Sequence, residues 1–429
     1  MIAPVSTGTT TSLSHVYPLG SRVNERGHLE VGGCDVVELA REFGTPAYVV
    51  AEDDLRARAR AYVDALATRH PDSDVLFASK AFPCTAVYRV LAQEGLACDV
   101  ASGGELALAL RGGFDPARIY LHGNAKSSVE LREALLAGVG HIVLDSFDDF
   151  DRLEQVAASL GMVQEVLIRV TPDVSGDTHA AISTGQANSK FGFGLGEAPA
   201  AIDRVTATPH LRLVGLHCHI GSQLLSVDPF RRAIEAVAGL GSFAVYNVGG
   251  GLGVAYTASQ EPPSIADYVA TVCDAANASL GPGVRLLIEP GRSLVANSTV
   301  TLYTIETIKR NVSSWVAVDG GMSDNLRPML YGSAYEAAIA SRPLAEPTEI
   351  CQVAGKHCES GDVIVRDVGL AAPAVGDVLV TPATGAYGYA MANNYNGVPR
   401  PPVIFCRGGD ARVVVRRESY DDLSARDVL

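Results

Sequence analysis

The sequence has few basic residues and no long apolar run, and each shortage excludes a class of partner. Lys and Arg number 34 against 48 Asp and Glu, which gives a formal net charge of −14. Proteins that bind nucleic acid through its phosphates need clustered cations, so this balance argues against a nucleic-acid partner. No apolar stretch reaches the ~18 residues of a membrane helix without a glycine or polar interruption, so we expect no membrane partner.

The sequence also lacks paired cysteines. No C-x-x-C motif joins the eight cysteines, which are Cys34, Cys84, Cys98, Cys218, Cys273, Cys351, Cys358 and Cys406. In a chain of 429 residues this scatter indicates reduced thiols rather than a disulfide framework. Residues 1–7 have neither the basic start nor the apolar core of a signal peptide. We therefore expect a cytoplasmic protein.

What the sequence does contain is a repeated strand-then-helix pattern. Eight strand-like runs stop at small, polar or charged residues, and helical patterning fills the segments between them. The runs are 75–80, 97–102, 119–123, 141–146, 165–170, 213–221, 244–251 and 285–290. This succession predicts an α/β fold with a (β/α)8 barrel, whose chemistry lies where the strands end.

The rest of the chain predicts a second domain. Further strand-like runs follow one another with few helical windows, at 299–305, 315–318, 362–366, 377–381, 402–406 and 411–415. They indicate a mainly antiparallel β domain. The first ~50 residues lie outside the barrel rhythm, and we expect them, with a strand at 47–51, to pack with that domain. The predicted boundaries are 54–297 for the barrel and 1–53 with 298–429 for the β domain.

One predicted barrel helix, 129–137, ends at Gly138. Leu131, Leu135 and Leu136 fall on one side of it, so we expect all three to pack on the barrel. Three turn-rich segments look like functional loops, at 173–194, 319–325 and 383–388. The first is long and lies between a strand and its helix, which predicts a lid.

Lys80 closes the first strand-like run. A lysine at the end of a buried strand is costly unless it is paired or used. It could form only an ion pair, but in a barrel mouth a lysine can also form a Schiff base with a carbonyl.

The late strand ends are rich in glycine, at 249–251 and 289–292. Exposed backbone N–H groups there suit a phosphate, although three glycines can also form an ordinary tight turn. One cofactor fits these glycines together with Lys80 and Glu289, and that is pyridoxal 5′-phosphate (PLP). Its aldehyde joins a lysine, and its ring nitrogen needs an acidic partner to stay protonated.

His217 and His219 alternate along one run and so face the same side. Such an H-x-H pair also occurs in metal-dependent barrel hydrolases, which need further ligands. The candidate ligands are His122, His141, Asp99 and Asp145. We favour the alternative in which His219 stacks on the PLP ring and His217 fills an interior layer, and we predict no metal.

Six motifs carry a family resemblance. They are FASKA at 77–81, HCHIGSQ at 217–223, NVGGGLG at 247–253, EPGR at 289–292, HCESGD at 357–362 and GAY at 385–387. In this order the chain resembles the diaminopimelate decarboxylases, in the PLP fold class shared with alanine racemase and ornithine decarboxylase. The resemblance runs from about Gly44 to Asp421, which is two domains in size. One departure is Phe82, where many relatives have asparagine.

The resemblance implies the site residues. The cofactor would be held by Lys80, His219, Ser222, Gly251, Glu289, Gly291, Arg292 and Tyr387. The substrate would be held by Arg292, Arg327, Tyr331, Glu359 and Tyr387. Lys80 would bond the aldehyde and Cys358 would return a proton after CO2 leaves. Cys358 and Glu359 would come from the second subunit, which implies a homodimer with shared active sites.

The implied activity is decarboxylation of meso-2,6-diaminopimelate to L-lysine and CO2, the last step of lysine biosynthesis. The distal carboxylate of that substrate needs fixed cations, and Arg292 and Arg327 suit forked recognition. Arg327 could instead form a surface ion pair, and Cys358 could be an inert buried thiol. The rival functions are a same-fold decarboxylase for another or a carrier-tethered amino acid, a racemase, a metal-dependent hydrolase and an inactive relative.

Overall fold

The structure is a computed structural model that describes residues 12–174 and 190–428. The strands are β1 (Arg22–Val23), β2 (Leu29–Val31), β3 (Cys34–Asp35), β4 (Ala47–Ala51), β5 (Ser73–Ala78), β6 (Ala97–Val100), β7 (Ile119–Leu121), β8 (His141–Leu144), β9 (Gln164–Thr171), β10 (Phe193–Gly194), β11 (Leu211–Cys218), β12 (Val245–Asn247), β13 (Arg285–Ile288), β14 (Thr299–Arg310), β15 (Ser314–Val318), β16 (Ala338–Ile339), β17 (Glu349–Ala354), β18 (Val363–Leu370), β19 (Val378–Pro382), β20 (Val403–Arg407) and β21 (Asp410–Val415).

The helices are α1 (Val36–Phe43), α2 (Glu52–Arg69), α3 (Thr85–Gln93), α4 (Gly103–Gly112), α5 (Ser128–Ala137), α6 (Phe147–Leu160), α7 (Ala198–Thr206), α8 (Asp228–Ala238), α9 (Ile265–Ser279), α10 (Arg292–Val295), α11 (Arg327–Tyr331) and α12 (Tyr420–Ser424). Among the residues that the structure describes, none of these helices has both the length and the apolarity that crossing a membrane requires. Most of the predicted lid at 173–194 lies outside the described residues, as do residues 1–7.

Contacts divide the chain into two compact units. The barrel unit consists of Arg56–Val254 and Glu261–Val295. The β unit consists of the described parts of Met1–Leu55 and Ala296–Leu429, together with Ala255–Gln260. The short stretch Ala255–Gln260 belongs to the β unit although barrel sequence flanks it on both sides, which no sequence pattern indicates.

The barrel unit is built on eight parallel strands, β5 to β9 and β11 to β13. The barrel closes because β13 pairs with β5 and β8 pairs with β9. Each predicted run overlaps one of these strands, so the predicted barrel is confirmed. Strands buried on both faces are apolar along their whole length, which is why the runs are visible in the sequence. The barrel interior is packed with Leu76, Ala97, Tyr120, Val143, Leu167, Val245 and Leu287.

Helix α5 corrects one detail of the predicted packing. Leu131 and Leu135 are buried, as expected, but Leu136 is 63% exposed. Residues four apart share a helix face, whereas Leu136 lies about 100° around the helix from Leu135. The prediction for Leu136 was therefore wrong, because only the side of α5 that carries Leu131 and Leu135 is buried.

The β unit contains a mixed sheet. Strand β14 pairs antiparallel with β15, β19 and β4, whereas β15 with β17 and β4 with β20 are parallel. The N-terminal strand β4 thus lies between β14 and β20, so the expected packing of the N-terminal segment on the later strands is observed. A shared core joins residues from both ends of the chain: Val16, Leu29, Val31, Val36, Val300, Leu302, Val380 and Ile404.

Candidate active site

A buried carboxylate, Glu289, follows β13 in the barrel unit. The Nδ2 of Asn247, the last residue of β12, donates to its Oε1 at 2.6 Å. The Nε2 of His122, just after β7, lies 2.9 Å from the same oxygen. The Nε2 of His217, in β11, lies 3.1 Å from Oε2. Three other strands thus each direct one nitrogen at the carboxylate.

These neighbours keep the carboxylate ionised. Burial alone would raise the pKa of Glu289, but His122 and His217 outweigh it and hold that pKa well below its usual value. Burial lowers the pKa of His217 to about 4, so His217 is a neutral donor. Burial also disfavours the cation of His122, yet Asp99 and Glu289 raise its pKa. The cationic form of His122 is therefore favoured beside Glu289.

The same cluster bears on the metal-site alternative. His122, His217 and Glu289 offer ligand atoms that all lie within 4.8 Å of one another. Two of the other candidate ligands lie elsewhere. His219 Nδ1 accepts a hydrogen bond from the Gly250 N–H, and His141 lies at the amino end of its strand, 3.0 Å from Glu165. His122 and His217 instead direct their Nε2 atoms at Glu289, so the cluster is held together by contacts among its own members.

Lys80 lies in a 3-10 turn, Ser79–Ala81, that directly follows β5. Its side chain is exposed, whereas Ser79 and Ala81 are buried. Burial, followed by the positive charges of Lys80 and Arg169, holds the pKa of His219 well below its usual value. An exposed amine beside a neutral imidazole is placed to react with a carbonyl.

The glycines after β12 pack too closely for any side chain. A Cβ on Gly250 would lie 1.9 Å from the Glu289 carbonyl oxygen, and one on Gly251 would lie 2.4 Å from that of Gly221. Gly251 also has a φ of +126°, which favours glycine. The backbone N–H of Gly250 donates to His219 Nδ1 at 3.3 Å, so the proton of neutral His219 is on Nε2. The turn thus fixes both the backbone and the imidazole.

Two residues expected at the phosphate end are in direct contact. The Oγ of Ser222 accepts from Arg292 Nε at 3.2 Å and from Nη2 at 2.9 Å. Arg292 is buried at the start of α10. Gly291 precedes it, and a Cβ there would lie 3.0 Å from the Ala78 Cβ. A buried guanidinium beside a bare glycine backbone suits an anion.

The barrel residues fit PLP. Lys80 offers an amine for the aldehyde, ionised Glu289 offers a partner for the ring nitrogen, and Arg292 with the glycines offers cationic and N–H donors for the phosphate. The fit depends on the buried charge of Glu289, since a neutral acid would not hold a proton on the ring nitrogen.

The β unit contains a second buried cation, Arg327, at the start of α11. Its guanidinium lies 4.2 Å from the Tyr256 ring centre, and Nη1 donates to the Tyr335 hydroxyl. Within the described residues its Nε has no hydrogen-bond partner, and neither polar side-chain atom of the buried Asn325 has one. Within the part of the chain that the structure describes, the buried Arg327 forms no ion pair, and its donor geometry suits a ligand carboxylate.

The remaining predicted residues of the β unit differ in exposure. Cys358 is exposed while the other seven cysteines are buried, so it is not an inert buried thiol. Its backbone N–H donates to Asn396 Oδ1 at 2.9 Å. Tyr331, Glu359 and Tyr387 are half-buried, and Tyr387 has a left-handed backbone with a φ of +62°.

The predicted site residues are divided between the two units. The barrel unit contains Lys80, His219, Ser222, Gly251, Glu289, Gly291 and Arg292. The β unit contains Arg327, Tyr331, Cys358, Glu359 and Tyr387. Sequence reasoning gave Asn247 no role and considered His122 only as a metal ligand. A polar residue at the end of an apolar strand was the signal available for both.

The chain matches known proteins over nearly its whole length. The family model described as "Pyridoxal-dependent decarboxylase, pyridoxal binding domain" matches residues 52–296. The diaminopimelate decarboxylase of Actinosynnema pretiosum subsp. auranticum is 46% identical over 435 residues, which cover 98% of this chain and 97% of that protein. The Bacillus subtilis enzyme of the same name is 44% identical, with 95% and 97% covered.

A solved structure agrees. The crystal structure of diaminopimelate decarboxylase from M. jannaschii in complex with L-lysine is 32% identical and has a TM-score of 0.89 to this chain. The match covers 95% of this chain and 98% of that one. The barrel, the ionised Glu289 and the exposed Lys80 agree with these matches. The chain belongs to the diaminopimelate decarboxylases, within the pyridoxal-dependent decarboxylases.

Proposed function

We propose that this PLP-dependent enzyme converts meso-2,6-diaminopimelate to L-lysine and CO2. We infer the substrate from Arg327, a buried guanidinium whose Nε has no hydrogen-bond partner among the described residues. A carboxylate on the distal carbon of the substrate would supply that partner, and ornithine or lysine taken as the substrate has no carboxylate there. The M. jannaschii relative was crystallised with L-lysine, the product expected here.

The barrel residues would hold PLP. Lys80 would bond its aldehyde, Glu289 would hold a proton on its ring nitrogen, and His219 would lie on the ring. Ser222, Gly251, Gly291 and Arg292 would surround the phosphate, with Tyr387 also against the cofactor. When bound, PLP supplies an electron-withdrawing ring that accepts the electron pair left by the departing CO2.

The residues of this chain would then orient the substrate and move one proton. Arg292, Arg327 and Tyr331 would bind the distal carboxylate, Glu359 the distal ammonium, and Tyr387 would contact the substrate. Cys358 Sγ would give its proton to the carbon that has lost CO2. Its exposure on the β unit leaves the thiol open to a substrate.

We extend the proposal to a homodimer with shared active sites. Cys358 is exposed, and α11 exposes two large apolar side chains, Met329 at 45% and Leu330 at 50%. Exposed apolar groups beside a functional thiol favour a protein partner. In this proposal residues 54–297 bind PLP, and residues 1–53 with 298–429 complete the site and the dimer interface.

Subunit mixing tests the shared site. The Lys80→Ala protein, which is inactive alone, and the Cys358→Ala protein, which is strongly slowed, should recover about a quarter of wild-type activity after exchange, because each mixed dimer has one intact site. No recovery, with mixed dimers demonstrated by mass, would contradict sharing.

A cytoplasmic location is also part of the proposal. All eight cysteines are free, as a reducing compartment would keep them. Fractionation of the native host with an antibody to the chain tests it, and recovery outside the cytoplasmic fraction would contradict it.

A substrate panel tests the activity. CO2 release should be fastest from meso-diaminopimelate and at least about 10³-fold slower, as kcat/KM, from ornithine, lysine and arginine, because those substrates bring no distal carboxylate to the buried Arg327. Equal rates would contradict the substrate. Preference for another amino acid, free or attached to a carrier protein, would favour the rival same-fold decarboxylase, and racemisation without CO2 release would favour a racemase.

A further inference from the structure

Two segments of the β unit carry residues of the proposed site. The thiol segment, residues 355–361, contains Cys358 and Glu359. The arginine segment, residues 319–327, contains Arg327. Neither segment is a regular strand over most of its length, so each needs specific bonds to hold its side chains in place.

The buried carboxylate of Asp362 bonds to both segments. Its Oδ2 accepts from the backbone N–H of His357 at 2.9 Å and lies 2.7 Å from His357 Nδ1. Its Oδ1 accepts from the backbone N–H of Met322 at 2.7 Å. Three donors on two segments therefore converge on one side chain.

Two glycines pack so closely on the Asp362 carboxylate that neither position has room for a side chain. A Cβ on Gly321, which has a φ of +148°, would lie 2.6 Å from each carboxylate oxygen of Asp362. A Cβ on Gly355 would lie 2.1 Å from Oδ2. The backbones are also joined directly, because Lys356 N–H donates to Gly320 O at 2.9 Å. One glycine from each segment thus packs on the carboxylate.

We propose that Asp362 is a positioning residue of the decarboxylation reaction and that it acts through Cys358. By fixing the thiol segment to the arginine segment of its own subunit, Asp362 holds Cys358 Sγ where its proton reaches the carbon that has lost CO2 in the partner subunit's site. The electron pair of the broken C–C bond forms the new C–H bond, and water reprotonates the thiolate. This inference rests on the proposed function.

His357 serves the same purpose. Its side chain has 0% exposure and its Nδ1 is bonded to Asp362, so its imidazole does not reach a substrate. The ring stacks on Tyr395 with centroids 6.0 Å apart. The chemistry that His357 provides is one N–H donor to Asp362, which an asparagine side chain also provides.

Asp362→Asn tests the carboxylate, because it keeps the shape but replaces one acceptor with a donor that faces other donors. We expect kcat to fall on the order of 10²-fold, as for the loss of a general acid. In D2O the wild type should place one deuterium with a single configuration on the decarboxylated carbon of lysine, whereas the variant should give mixed configurations. In a Cys358→Ala background the same change should lower kcat less than about 2-fold.

A matched control is Asp367→Asn, on the exposed side of β18, which should behave as wild type. Equal losses in both backgrounds, or retained stereospecificity in Asp362→Asn, would overturn the proposal. If Asp362→Asn fails to fold, two variants of His357 test the proposal instead. His357→Asn keeps the donor and should retain most activity, whereas His357→Leu should lose about 10²-fold. Equal loss in both would mean that the imidazole itself is required, contrary to the proposal.

Thiol labelling separates this inference from the proposed function. Because the other cysteines are buried, iodoacetamide should react first at Cys358, and faster in Asp362→Asn than in Asp367→Asn. Faster labelling in a protein that does not decarboxylate diaminopimelate would retain the positioning role and reject the substrate. An unchanged rate would reject the positioning role itself.

Discussion

Asn247 donates to Glu289 at 2.6 Å and so links the ends of two neighbouring strands, β12 and β13, around one negative charge. Asn247→Asp would replace the donor with a second carboxylate at the same distance. Two carboxylates so close cannot both ionise, so the pair should share one proton and the ability of Glu289 to hold a ring proton should fall. We expect kcat to drop on the order of 10²-fold near neutral pH.

The control for that prediction is Asn247→Ala, which removes the bond to Glu289 and the one that Oδ1 accepts from the Gly249 N–H at 3.0 Å, without adding charge, and should cost less than about 10-fold. Steady-state rates measured from acid to alkaline pH, with the cofactor content of each protein, give the comparison. Equal activity of the two variants would mean that the charge of Glu289 is not what Asn247 protects.

Lys80→Ala should abolish turnover, with a loss of at least about 10³-fold, because no other amine ends β5. Borohydride reduction of the wild type should attach the cofactor to the peptide that contains Lys80, as seen by mass spectrometry. Lys190→Ala, which removes another lysine of the barrel unit, is the control. Turnover by Lys80→Ala at the wild-type rate would refute the assignment.

Arg327→Lys keeps a positive charge but loses the planar fork. If Arg327 binds the distal carboxylate, KM for meso-diaminopimelate should rise by about 10- to 100-fold, since one of two parallel hydrogen bonds is lost. Isothermal titration of each protein should show a comparable loss for L-lysine, which keeps that carboxylate after CO2 has left, and a much smaller change for 1,5-diaminopentane, which has no carboxylate. A variant that weakens the binding of L-lysine and of 1,5-diaminopentane alike would place Arg327 in the fold rather than in the substrate pocket.

Asp324 should make stability depend on pH. Tyr303 and the Gly321 N–H donate to its carboxylate, and burial raises its pKa to about 7. Between pH about 4 and about 7 the native state therefore holds a proton that the unfolded chain has lost, so this group makes stability fall as pH rises. Above that range both states are ionised and the full cost of burying the charge is present.

Asp324→Asn replaces the neutral acid with an amide of the same shape and removes this dependence. Calorimetry from pH about 5 to about 8 should show a smaller decline of Tm for the variant than for the wild type, and the variant should be the more stable at the alkaline end. Parallel Tm curves for the two proteins would show that Asp324 does not titrate in this range.

Helix α5 offers a matched pair of leucines. Leu131→Ala would leave a cavity under the helix and should cost about 2–5 kcal/mol of unfolding free energy. Leu136→Ala, on the 63% exposed residue, should change it by less than about 0.5 kcal/mol. Urea unfolding followed by circular dichroism measures both, and similar midpoints would contradict the observed burial.

The barrel could be predicted because its strands are buried on both faces and therefore stand out as apolar runs that end in polar residues. Strand β17 was not predicted, since Glu349 and Gln352 interrupt its apolar residues. The three short strands β1 to β3, at most three residues each, carry too little pattern to be seen. Local pattern thus indicated the barrel strands, including the three-residue β7 and β12, but missed these four strands of the β unit.

The site shows a similar limit. The sequence placed Glu289 and Lys80 at strand ends, where a barrel has its chemistry. It could not show that Asn247, 42 residues from Glu289, is the donor to it. Nor could it show that Leu136 points outward or that Asp362 bonds two segments, because these depend on which side chains meet after the chain has closed on itself.

Strand β4 has a consequence for how the chain is made. Its residues 47–51 pair on one side with β14, near residue 300, and on the other with β20, near residue 404. During synthesis this early strand has neither neighbour until most of the polypeptide has left the ribosome. A chain shortened at its C-terminus would leave an apolar strand edge open to other molecules, so truncation should produce aggregates rather than a smaller working enzyme.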